Sequence, residues 1–384
     1  MKNYFFELKK FIINKRNASL CVALTFLLLS SLYFVNFQGG YKRENLVNQK
    51  ISMVEQRISS SKEAESASKN PDKAYYTREN ELLQNQLNAL KQNNVNSYFN
   101  YVLKMNKLDL AKQEKNPEFL GVELSEILKT ENQYIQLVQK RKIDFEIEPE
   151  IQFFAFGNFV DFTLKQNLFT NLYLIGFILL VSTSLAYFYE NREDNYFRFA
   201  AISPAKNVIS KVFSAVTAVM VWLIGISAFN IIVIGIKNGF GSWRYPSYLV
   251  NYWGTDQTNT TPTNMGIPVG ETILISFFYI FIMLVFFASI GAFLSVLLKK
   301  SMVVIGILSV SVVGWLMVIN NPNLQSVRKF VPMSYFNPIE LLCKPNYLFG
   351  ANSLLVGIIY LAGLSILFMA LASLLLSKSK VRRI

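Results

Sequence analysis

Six apolar runs alternate with polar stretches of unequal length along the chain. The runs, at about 18–37, 169–189, 212–236, 272–298, 302–319 and 354–376, reach or approach the roughly 20 apolar residues with which a helix crosses about 30 Å of hydrocarbon. They predict six transmembrane helices. Before the first run, residues 1–17 place Tyr4, Phe5, Leu8, Phe11 and Ile12 on one helical face and Lys9, Lys10, Lys15 and Arg16 mainly elsewhere. That is the pattern of an amphipathic elbow helix lying in the membrane interface, the plain alternative being a frayed basic N-terminus.

The longest polar stretch, 38–168, separates the first two runs. Apolar residues recur at helical spacing in three stripes: Leu46, Val47, Ile51, Val54 and Ile58; Tyr76, Leu83, Leu87 and Leu90; and Leu120, Leu124, Ile127, Leu128, Ile135 and Val138. With breaks expected in the Ser-rich 59–72 and the charged 107–118, the pattern predicts a domain of two or three antiparallel helices. The aromatic cluster at 152–162 fits a belt at the outer headgroups or a surface that touches a substrate. The fold class is therefore an all-α membrane protein with a helical extracellular domain between its first two spans.

Composition supports this division. With 52% hydrophobic residues and a mean hydropathy of +0.29, the chain is too apolar for a soluble globule and too polar to lie wholly in a bilayer. A net charge of +13 would fit a nucleic-acid binder, so the location of the charge decides. Fifteen Lys and Arg fall in 1–17, 190–211, 299–300 and 378–384, against five in the alternate short loops 237–271 and 320–353. By the positive-inside rule both termini are cytoplasmic, as six spans require. The 18 basic and 18 acidic residues of 42–165 balance, and long external domains cross largely regardless of charge.

The first run exceeds the apolar core of a signal peptide and lacks a clean Ala-x-Ala site, so it reads as a retained anchor. Cys21 and Cys343 lie in a span and an outer loop and encode no disulfide framework. Without His or a Cys cluster, no zinc or other soft-metal site is expected. The wealth of Lys, Asn, Ile, Phe and Tyr fits an AT-rich bacterial genome and hence a bacterial plasma membrane. No span carries a central Asp, Glu, Lys or Arg, which argues against an ion-coupled carrier. Span two carries Thr183 and Ser184, and span three Asn230; in span five, Gly306, Ser309 and Gly314 form a candidate packing face. The aromatic outer loops, including Trp243 and Trp253, could dip into the outer leaflet as re-entrant or interfacial helices, and neither shows a catalytic arrangement.

The remaining stretch is Glu190 to Lys211, a charged and aromatic segment held at a membrane surface by the apolar runs on either side. No GxxxxGK[ST] occurs, so the chain cradles no ATP by a Walker-type loop, and energy for active transport must come from another polypeptide. Glu190, followed by Ile202, Ser203, Pro204, Val208, Ile209 and Lys211, resembles the motif after span two of type-2 ATP-binding-cassette (ABC) exporter permeases. Ala201, Ser210 and the pair Arg192-Glu193 depart from that motif. The resemblance implies a membrane subunit pairing with a second copy or homologue and with cytoplasmic ATPase subunits that carry ATP and Mg. It also implies a coupling role for Glu190, Arg192, Glu193, Ile202, Ser203, Pro204, Lys206 and Lys211. An ordinary cytoplasmic loop, with Ser203-Pro204 breaking a helix and Lys211 snorkelling, is the plain alternative. The expected function is export of an amphipathic or hydrophobic cargo: a peptide such as a bacteriocin, a lipid or a drug. A non-transporting mechanotransmission or sensor subunit, and an immunity or scaffold protein without an ATPase, are the other two readings.

Overall fold

The computed structural model describes residues 2–33, 43–68, 72–116, 118–145, 147, 154–160, 163–164, 171–193, 202–246, 266–318, 321–343 and 353–381. Twelve helices carry the architecture: α1 Lys2–Ile13, α2 Lys15–Tyr33, α3 Arg43–Ala67, α4 Asp72–Lys91, α5 Val95–Lys115, α6 Gly121–Arg141, α7 Asn171–Val181, α8 Ser184–Glu190, α9 Pro204–Asn238, α10 Val269–Leu298, α11 Ser301–Val318 and α12 Ser353–Val381. Among the described residues the extended pairing is one isolated antiparallel bridge, Pro246 with Pro268. The chain divides into two compact units, one of 1–32, 159–233 and 272–384, the other of 33–158 and 234–271.

The first unit holds the apolar helices. Within the described residues, Pro204–Asn238, Val269–Leu298 and Ser353–Lys378 are long and apolar enough to cross a membrane, and α11 is a shorter apolar helix over Ser301–Trp315. Two bent pairs, α1 with α2 at 62° and α7 with α8 at 48°, bring the number of candidate spans to five if each pair is one span. The first bend has a local cause, because the Asn14 side chain accepts the N–H of Arg16 at 3.0 Å and so caps α2. At the second, Ser182 Oγ donates back to the Ile178 carbonyl at 2.5 Å and Thr183 Oγ1 to that of Leu179 at 3.4 Å. Gly291 of α10 sits directly against this break. A methyl group there would lie 2.4 Å from the Ser182 carbonyl oxygen and 2.5 Å from its Cα.

Both sides of these helices are apolar, so burial and not composition marks the inner face. On α9, Val208, Val212, Val216, Val219 and Leu223 are fully buried, while Val221, Ile224, Phe229, Ile232 and Ile236 are exposed. That is the all-round apolarity of a membrane helix. Asn230 of this helix donates to Thr163 Oγ1 at 3.1 Å, and both are buried. The described part of the stretch 320–353, residues 321–343, holds short helical turns, Pro322–Leu324, Gln325–Arg328, Pro332–Tyr335 and Pro338–Cys343. Tyr335 and Phe336 are buried there, with the Phe336 ring 4.9 Å from that of Phe287.

The second unit is built on α3 to α6, four long helices where the stripes predicted two or three. The extra helix comes from an unpredicted turn at 92–94, where Asn93 takes a left-handed backbone (φ 55°) and the Asn94 side chain caps α5 by accepting the Ser97 N–H, while α5 itself runs through most of the charged stretch 107–118 to Lys115. Its charges find partners within the unit. Asp109 is nearly buried; its Oδ1 accepts the Tyr75 hydroxyl at 2.6 Å and its Oδ2 the Arg57 guanidinium at 3.2 Å. The same guanidinium gives two bonds of 3.0 and 2.9 Å to Glu79, whose other oxygen takes Ser61 Oγ at 3.0 Å. Lys112 reaches Asp72 at 3.4 Å, with its ammonium 3.9 Å from the ring centre of Tyr75 and 4.3 Å from that of Phe119. Nor does the Ser-rich stretch stop α3 before Ala67; the Ser60 and Ser66 hydroxyls bond the carbonyls one turn earlier within the continuing helix.

The apolar core of this unit follows the predicted stripes at Leu46, Val54, Ile58, Leu83, Leu87, Leu90, Ile135 and Val138, whereas Leu124 is exposed. Trp243 belongs to this unit. Its ring meets Phe156 edge to face at 5.0 Å and covers Gly270, where a methyl group would collide with it at 1.8 Å. Nearby, Tyr134 and Tyr245 share a hydroxyl hydrogen bond of 2.9 Å, and Arg141 donates to the Arg244 carbonyl at 2.8 Å.

Candidate functional site

The charged residues that flank segment 190–211 gather with two charges from α1. Lys211, in the second turn of α9, has a side chain only 3% exposed. A buried ammonium needs a partner, and Glu7 of α1 supplies it at 2.8 Å. Glu193, just beyond α8, lies 4.0 Å from Lys211 and bonds Lys10, one turn after Glu7 on α1. The four side chains form a row of alternating sign: Lys10, Glu193, Lys211, Glu7. The Phe188 ring, with its centre 5.0 Å from the Lys211 ammonium, covers it from one side.

Glu190 bonds a different element. Its carboxylate accepts the backbone N–H of Ser301 at 2.7 Å and the Ser301 hydroxyl at 2.9 and 3.0 Å. Ser301 is the first residue of α11, so Glu190 satisfies an otherwise unbonded N–H and sets a negative charge at the positive end of the helix dipole. Arg16, at the start of α2, stacks its guanidinium 5.0 Å from the Tyr187 ring centre and feels the Glu190 charge. The ends of four helices, α1, α8, α9 and α11, are thereby joined through charge and capping bonds.

At the start of α9, Ser203 is the N-cap, its hydroxyl accepting the Lys206 N–H at 3.3 Å, and Pro204 takes the first helical position, where no N–H is needed. Ile202 and Pro204 are half-buried, and Ser203 and Lys206 are exposed. Arg192 is also exposed, in a left-handed backbone conformation with φ 58°. Residues 194–201 and Trp253 lie outside the described residues. On α1, Tyr4 and Phe11 are half-buried against the protein, while Phe5, Phe6, Ile12 and Ile13 are all at least 60% exposed. Gly306 and Gly314 of α11 are exposed, with no atom within 4 Å of a methyl group placed on either; Ser309 is half-buried and its hydroxyl has no hydrogen-bond partner.

The structure thus brings Glu193 and Lys211 together, sets Glu190 on Ser301, and leaves Arg192 and Lys206 on the surface. Glu7, Lys10, Ser301 and Gly291 were not among the residues expected from sequence. A signal for Glu7 exists, since it is the one acidic residue in 1–17. The arrangement ties α1, α8, α9 and α11 to one another through ion pairs and a capping bond.

The sequence profile of the ABC-2 family transporter protein matches residues 17–374. No curated protein matches the chain, and no solved structure does.

Proposed function

Because the chain belongs to the ABC-2 transporter family, whose members are membrane-spanning transport subunits served by a separate ABC ATPase, we propose that it is the permease of an exporter of amphipathic or hydrophobic cargo. A peptide such as a bacteriocin, a lipid and a lipophilic drug are the cargo classes. ATP and Mg are held by the partner ATPase, which presses on segment 190–211 from the cytoplasmic side of a bacterial plasma membrane. Taking each bent pair as one span and α11 as a further one gives six spans with both termini inside.

The observation that carries this reading is the bonding of Glu190 to Ser301. It fastens the end of α8 to the head of α11, so a push on the segment reaches a membrane helix without passing through a loop. A second copy, or a homologue, packs on the outer face of α11, where a methyl group on Gly306 or Gly314 would meet no other helix among the described residues within 4 Å and Val310 and Met317 are exposed. Mechanotransmission without transport draws support from the internal bracing of α3 to α5 by Arg57, which suits a lever. Cargo transport in vesicles separates the two.

Charge reversal at Glu190 tests the coupling role. Glu190→Lys removes a cap worth about 0.5–2 kcal/mol and places a cation at the positive end of α11. The variant is expected to insert, to retain its ATPase and to lose the stimulation of ATP hydrolysis. Unchanged hydrolysis would remove the coupling assignment.

A further inference from the structure

We propose that the elbow helix α1 is a moving part of the transmission joint, with Glu7 and Lys10 as positioning residues that clasp both flanks of segment 190–211. The proposal rests on the permease reading above. Glu7 and Lys10 lie one turn apart and so share a face of α1. They engage opposite charges on two different elements: Glu7 holds Lys211 in α9, and Lys10 holds Glu193 just after α8. The elbow therefore bridges the segment from its first residues to its last, joining positions 18 residues apart in the chain.

Burial makes the clasp obligatory. With α1 in place the Lys211 side chain is 3% exposed, and withdrawal of α1 would remove Glu7, the counter-charge at 2.8 Å, and leave the more distant Glu193 at 4.0 Å and the face of Phe188. The elbow must travel with α9 and α8, or the pair must be broken at a large cost. The rest of α1 suits such travel. Its outward side chains, Phe5, Phe6, Ile12 and Ile13, are apolar and exposed, which lets the helix slide within the membrane interface. Its far end passes into α2 through the Asn14 cap, so displacement of the elbow is delivered to the first span.

The bonding around the clasp is also unsaturated. Asn3 Nδ2, Asn17 Oδ1, Tyr187 hydroxyl and Asn207 Nδ2 are buried on the same elements without a hydrogen-bond partner. Charge pairs, which depend weakly on angle, hold the joint where a closed hydrogen-bond network would lock it.

The test uses the full chain purified with its co-expressed ATPase, reconstituted in lipid nanodiscs, with ATP hydrolysis measured per complex. Glu7→Lys and Lys211→Glu are each expected to lower hydrolysis by about 5-fold or more, in the range of ordinary coupling between sites, with ATPase stoichiometry unchanged. The double exchange restores the opposite charges and is expected to recover most of the activity. The more exposed pair provides a second exchange, Lys10→Glu with Glu193→Lys, for which misfolding is less of a risk. Single variants at the wild-type rate, or double exchanges as inactive as the singles, would overturn the role of the elbow and leave the permease reading standing. Absence of an ATPase from the wild-type preparation would overturn the permease reading and the elbow proposal together.

Discussion

Arg57→Ala is expected to lower the opening free energy of helices α3 to α5 by about 3 kcal/mol, the lower end of the range for removing one partner of a buried ion pair. The lower end applies because the Arg57 side chain is 48% exposed and water screens part of its charge. The large effect comes from what remains: Glu79 and Asp109, both almost fully buried, would share a site with no cation between them. Burial alone would lower the Arg57 pKa, but the two carboxylates more than offset it and hold the pKa above its usual value. Hydrogen exchange of the full-length protein reads this directly, as faster exchange across α3, α4 and α5.

The same network sets an alkaline limit on this unit. Burial, then the hydrogen bond to Asp109 and the nearby carboxylate charges, push the Tyr75 phenol well above its ordinary 10.0. A pKa raised on folding means that the folded state keeps a proton the unfolded chain releases. The stabilisation is whole below pH 10 and is lost as the pH climbs beyond it. Tyr75→Phe should flatten that loss while giving up the 2.6 Å bond at neutral pH. A wild-type unit whose protection does not fall above pH 10 would contradict the assignment.

Gly291→Leu is expected to disrupt the apolar unit more than any other single glycine change in it. Even the first carbon of the new side chain would meet the Ser182 backbone at 2.4 Å, and backbone, unlike a flexible side-chain end, cannot step aside. Overpacking of this kind costs about 1–3 kcal/mol, and Gly291→Ala falls within that range. The leucine variant should lose folded yield in detergent. Gly306→Ala and Gly314→Ala are the internal controls, since a methyl group there meets nothing within 4 Å. Equal loss at all three positions would show that Gly291 has no special contact with the break between α7 and α8.

The comparison with the controls shows what a hydropathy pattern can and cannot carry. It records how apolar a run is, and apart from the turn at Ser182 and Thr183 all six runs are helical as far as they are described. It does not record a bend at Ser182 and Thr183, because these side chains are neutral to hydropathy yet compete for backbone carbonyls. Nor does it show which glycine is in contact: Gly306 and Gly314 have the small-residue spacing, and Gly291 has the contact. In the polar unit, charges at Asp109 and Lys112 resembled a helix break because their partners, Arg57 and Tyr75, lie 52 and roughly 40 residues away in the chain.

Site residues divide along the same line. Glu190 and Lys211 were legible because the segment has a recognisable order of residues. Glu7 was not, since its meaning depends on a lysine 204 positions later that only the packed helices bring near. The lone carboxylate in a basic elbow was the available clue, and charge at an interface is more often solvated than paired.

The central claim is that this chain is the membrane half of an ATP-driven complex. The most direct measurement is a mild-detergent pulldown on a C-terminal tag of the full-length protein, with mass spectrometry of whatever co-purifies. The account predicts a nucleotide-binding ABC subunit at about one copy per permease, in keeping with the two-and-two assembly proposed. Repeated recovery of intact, folded protein with no such subunit would contradict it.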